Sequence, residues 1–152
     1  MAALDYLGWL LASKERLSEA KEHFQKAVKI MEEQESIPPT VKLRVYVRLA
    51  ELQERMGSCE EARRFFEQGL EVANSNGLKG VNLGACLKGL ARYEEAEPVL
   101  LRALPEPREY GVRQAYGRQE AILRIVDLYE KWGKPDKAAE YRALLATAEP
   151  PK

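Results

Sequence analysis

Four short segments, Leu17-Ser18-Glu19-Ala20, Cys59-Glu60-Glu61-Ala62, Tyr93-Glu94-Glu95-Ala96 and Pro135-Asp136-Lys137-Ala138, repeat the same helix start along the chain. Their alanines lie 42, 34 and 42 residues apart. Self-similarity at this spacing is the signature of stacked supersecondary units, each too small to bury its apolar face alone. The long and short intervals differ by eight residues, which is about two helical turns.

Twelve residues before each alanine stands another small or apolar residue, Gly8, Ala50, Gly84 and Val126, inside a second periodic segment. Each repeat therefore holds two helices. The first-helix apolar positions are Leu4, Leu7 and Leu11, then Tyr46 and Leu49, then Leu83 and Leu87, then Ile122, Ile125 and Tyr129. These fall on one helical face. The second helices carry Ala20, Phe24 and Ala27, then Ala62 and Phe66, then Ala96, Leu100 and Ala103, again at helical spacing. A small residue facing an alanine across each pair lets two backbones approach closely.

Gly57 and Gly133 stand between paired helices, where a left-handed C-cap residue is wanted. Ser58-Cys59-Glu60-Glu61 reads as a capping box, with the serine oxygen on a first-turn N–H and Glu61 reaching back. Pro135 suits a first helical position. Pro38-Pro39-Thr40 and Pro105-Glu106-Pro107 interrupt the helical pattern at the ends of the two longer repeats.

The chemistry available is sparse. The single His23 has no metal-binding or catalytic company, and no HExxH, GxSxG or Walker loop is present. No enzyme activity, metal or cofactor is expected. Gly77-Leu78-Lys79-Gly80 has the glycines of a phosphate loop but no strand before it, so it reads as the opening of a repeat helix. Cys59 and Cys86 form no CxxC pair and occupy positions where small packing residues are wanted, so both are expected to be buried thiols in a reduced cytoplasmic setting. Lys plus Arg and Asp plus Glu each number 24, which leaves no overall field for nucleic acid or an anionic membrane. Arg63, Arg64, Arg113 and Arg118 are interleaved with Glu61, Glu67 and Glu120, as on a solvated helix face.

Taken position by position, the repeats resemble tetratricopeptide repeats: bulky at 4, Leu at 7, Gly or Ala at 8, bulky at 11, Ala at 20, aromatic at 24, Ala at 27 and Pro at 32. The first repeat supplies Leu4, Leu7, Gly8, Leu11, Ala20, Phe24 and Ala27; the fourth supplies Ile122, Ile125, Tyr129, Ala138 and Pro150. Gln53, Gly69 and Arg142 depart from the pattern. The 42-residue repeats, with Tyr93 to Pro98 and Leu128 to Pro135, are similar to those of kinesin light chains and of repeat regions attached to bacterial serine/threonine kinases.

The resemblance implies an all-α single domain, residues 1–152, of four antiparallel helix pairs stacked in a right-handed superhelix. The repeats run about 1–42, 43–76, 77–118 and 119–152. It further implies a scaffold that binds a peptide segment of a protein partner in a concave groove. The alternatives are a structural or oligomerisation module and the regulatory repeat region of a larger enzyme. Inward first-helix positions would then form the binding face: Tyr6, Trp9, Arg44, Arg48, Glu51, Leu78, Val81, Asn82, Ala85, Arg124 and Asp127. Trp132 is expected to pack at the turn between paired helices. The end repeats carry no extra polar helix, so an excised fragment or self-association through the exposed ends is expected.

Overall fold

The computed structural model describes the backbone of residues 2–104 and 112–146, and the side chains of 4–104 and 117–146. Among the described residues there are eight α-helices and no strand. They fall into two compact units, Met1–Leu78 and Lys79–Lys152. The N-terminal unit holds α1 (Ala2–Ser13), α2 (Leu17–Glu33), α3 (Pro39–Arg55) and α4 (Cys59–Ser75). The C-terminal unit holds α5 (Val81–Gly89), α6 (Tyr93–Ala103), α7 (Val112–Lys131) and α8 (Pro135–Ala146). Each odd-numbered helix packs on its even-numbered successor, and α2 on α3 and α6 on α7 join the pairs within a unit. Pro39 lies inside α3 as one of its first residues, so the extra turns of the first long repeat lengthen helices rather than a loop. Pro105-Glu106-Pro107 and Pro150 lie outside the described residues.

All four helix pairs turn by the same device. Glu15, Gly57, Ala91 and Gly133 have φ of +58°, +78°, +57° and +73°. Each donates its N–H three residues back, and the next residue donates five residues back, as Gly57 to Glu54 and Ser58 to Gln53. This pair of bonds is the Schellman motif, which satisfies the last carbonyls of one helix while reversing the chain. Only two of the four left-handed positions are glycine. Glu15 gains a 2.8 Å bond from Arg55, whose Nη2 also caps the Ala12 carbonyl at 2.8 Å. Ala91 has no such compensation. A left-handed conformation costs an alanine roughly 1–2 kcal/mol, and glycine returns part of that as unfolded-chain entropy. Ala91→Gly is therefore expected to raise the unfolding free energy by about 0.5–1 kcal/mol in urea titration, and Ala91→Val to lower it.

The helices bury the expected face with instructive exceptions. Ala20, Phe24, Leu49 and Leu52 form one cluster of the N-terminal unit with Ala12; Ala27, Met31 and Val45 form another. Ile122, Ile125, Leu128, Tyr129 and Ala138 are buried in the C-terminal unit. Leu7, expected inside, is 42% exposed. Its equivalent in the second repeat, Leu49, is covered by α2, and no described helix covers Leu7 in the same way. The close approach at Gly8 and Gly84 is also not to the alanines. A Cβ built at Gly8 would lie 2.9 Å from the Phe24 ring, and one at Gly84 would overlap the Leu100 side chain. The small residue makes room for the large one a turn beyond the alanine.

Two further expectations give way to the structure. Ser58 makes no side-chain cap bond to α4; the Schellman bond from its own N–H holds it, and its carbonyl accepts from Ala62. Cys59 is exposed, since it opens α4 before the buried stripe of Ala62, Phe66, Gly69 and Ala73 begins, while Cys86 is buried. Gln53 is 3% exposed and its Oε1 lacks a hydrogen-bond partner, a polar departure inside an apolar pattern.

Candidate interaction surface

In the N-terminal unit Tyr6, Trp9, Arg44 and Arg48 gather where α1 meets α3. Asp5 is almost fully buried. Its Oδ2 accepts from Arg44 Nε at 2.7 Å and its Oδ1 from Arg48 Nη1 at 2.6 Å. A carboxylate removed from water needs such partners, and a forked pair of guanidinium groups fixes both its oxygens. The pairing sets α1 against α3. Above it, Tyr6 and Trp9 are 58% and 47% exposed with ring centroids 6.0 Å apart. Arg48 also approaches the Trp9 ring, at 6.0 Å from its centroid. Glu51 is half-buried on the same helix as Arg48, and Leu78 is half-buried at the end of this unit. Exposed Leu7 extends the apolar ground on α1.

The C-terminal candidates are placed differently. Val81 and Asn82 are half-buried in the first turn of α5, and the Asn82 side chain makes no hydrogen bond among the described residues. Ala85, expected on the binding face, is fully buried instead. Gly84, Ala85, Cys86, Leu87 and Lys88 are five consecutive buried residues, so this part of α5 presents no free face. Arg124 bonds Glu120 at 3.2 Å. Asp127 pairs with the buried Lys88 and lies 3.6 Å from Lys131. Burial pushes the Asp127 carboxyl up, but the Lys88 charge and hydrogen bond, aided by Lys131, outweigh it and hold the group below the ordinary aspartate value.

Trp132 is half-buried, with its ring centroid 5.9 Å from that of Tyr93 and 6.4 Å from that of Tyr129, and Lys134 Nζ lies 3.1 Å from its centroid. Tyr129 donates to Glu97 at 2.7 Å, and Lys137 reaches the same oxygen at 3.0 Å. The Tyr129 bond, then Lys137, lower the Glu97 pKa, while burial and the same bond raise that of Tyr129. His23 is half-buried, with its Nδ1 lacking a partner. No described helix is long and apolar enough to cross a membrane.

Residues 1–33 and 43–76 each match a family model described as tetratricopeptide repeat. Comparison with curated proteins finds no match. Among solved structures, one from the functional characterization of Pseudomonas aeruginosa pilF is 19% identical, with a TM-score of 0.47 over 98% of this chain. The chain spans 61% of that structure's length. The crystal structure of BtubC (BKLC) from P. vanneervenii is 16% identical, with a TM-score of 0.50, covering 98% of this chain and 82% of that one. Repeats of the matched family serve in general as protein-interaction scaffolds. With both helix pairs of its N-terminal unit matched and the paired-helix fold throughout the described residues, the chain is a tetratricopeptide repeat protein.

Proposed function

We propose that this protein holds an extended or short helical segment of a partner protein on the first-helix face of its N-terminal unit, without catalysing a reaction. The observation that carries the reading is the Tyr6–Trp9 pair, which stands in solvent beside Arg48. Leaving two large aromatic rings in water contributes nothing to folding, and such rings concentrate binding energy when a partner covers them. Arg44 and Arg48 are already engaged by Asp5, so an acidic group of the ligand shares them rather than claiming them. They give orientation, and Trp9 and Tyr6 give affinity.

The test begins with affinity capture from the source cell and identification of a partner segment. Trp9→Ala is then expected to weaken that segment's binding by about 30-fold or more, the loss typical of an aromatic anchor, with Tyr6→Ala showing a smaller loss. Circular dichroism checks the fold of each variant. Wild-type affinity in both would sink the first-helix assignment.

A further inference from the structure

We infer that the C-terminal unit carries a second docking site, away from the residues proposed above, for an acidic segment of a protein partner bearing one large apolar side chain. The inference rests on the scaffold reading but not on the α1 surface. A cavity of about 450 Å³ lies between the start of α5 and the last turn of α6, lined by Lys79, Gly80, Leu83, Val99, Arg102 and Ala103. That volume falls within the range of ligand pockets. Its walls are Leu83, Val99 and Ala103, all half-buried, so an entering side chain meets aliphatic surface and, among the described residues, no aromatic ring on which a nucleobase would stack.

The rim decides the chemistry of the occupant. Lys79 and Arg102 are exposed, and neither has an ion-pair partner among the described residues. Elsewhere in this unit Arg92 forks onto Glu95, Lys137 bonds Glu97 and Arg142 bonds Glu130. Among the described residues no carboxylate lines the cavity. Two cations with no ion-pair partner among the described residues, set on an apolar pocket, favour a ligand that brings negative charge with its apolar anchor. Because Lys79 precedes α5 and Arg102 belongs to α6, the charges come from separate elements, which suits acidic residues on both sides of the anchor. The N-terminal dipole of α5 acts in the same direction.

A fluorescein-labelled peptide, Glu-Glu-Phe-Glu-Glu with blocked ends, is the probe. Fluorescence anisotropy is expected to show saturable binding to the full chain that weakens about tenfold or more in Lys79→Glu and in Arg102→Glu, and weakens with added salt. Both substitutions fall on exposed side chains that form no ion pair among the described residues, and circular dichroism confirms that the fold persists. Alanine in place of the peptide's phenylalanine is expected to abolish binding, while Trp9→Ala leaves it unchanged. The site is overturned if the wild-type chain does not bind the peptide, if both charge reversals bind it as well as wild type, or if the alanine peptide binds equally. Loss of binding in Trp9→Ala alone would place the peptide on α1 and also reject this site.

Discussion

Replacing Phe24 with alanine is expected to lower the unfolding free energy by about 3–5 kcal/mol, the range for truncating a buried phenylalanine. Phe24 is 1% exposed and lies in the cluster of Ala12, Ala20, Leu49 and Leu52, so it joins α2 to both α1 and α3. Gly8 supplies the space for its ring, and a Cβ there would stand 2.9–3.0 Å from three ring carbons. This gives the prediction a second arm. Gly8→Ala alone is expected to destabilise, because the overlap outweighs the roughly 1 kcal/mol that alanine gains over glycine in a helix. In the Phe24→Ala background the overlap is gone, and Gly8→Ala should then stabilise. Urea titration of the four proteins measures the coupling. If Gly8→Ala has the same effect in both backgrounds, the Gly8–Phe24 contact does not set the spacing of α1 and α2.

The sequence was most legible where one periodicity determined both local and tertiary structure. Ala20, Phe24 and Ala27 could be placed on the buried face of α2 because helical spacing and packing make the same demand. The left-handed turns were half legible: Gly57 and Gly133 announce themselves, whereas Glu15 and Ala91 adopt the same conformation with nothing in their residue type to show it. Ser58-Cys59-Glu60-Glu61 has the composition of a capping box, yet the turn before it already satisfies the backbone, which leaves the serine oxygen without that task. On the candidate surface, the exposure of Trp9 followed from its position in the repeat. The Asp5 pair with Arg44 and Arg48 did not, since its partners are 39 and 43 residues away and a charge in a first helix reads equally well as solvated. Ala85 was misplaced because a repeat register assigns it a face, while the nine-residue α5 is enclosed around that point.

The Lys88–Asp127 pair tests how charge is tolerated inside the C-terminal unit. Asp127→Ala is expected to cost about 2–3 kcal/mol, near the lower end for breaking a buried pair because the aspartate is itself 40% exposed. It leaves an ammonium group that is 4% exposed without its main counter-charge. Lys88→Met removes the charge while keeping a flexible apolar stem of similar length, so it is expected to change stability by about 1 kcal/mol or less. In the double variant the Asp127→Ala penalty should largely vanish, since no buried cation remains. The pH dependence gives an independent check. Asp127 has a folded pKa below its unfolded value, so its contribution is fully present above the ordinary carboxylate range near about 4 and is lost as pH falls through the folded value. Lys88→Met should therefore flatten part of the acid limb, and the remainder reflects groups such as Glu97, whose pKa is also lowered. Equal losses in Asp127→Ala and Lys88→Met, with an unchanged acid limb, would mean that the ion pair does not account for the burial of Lys88.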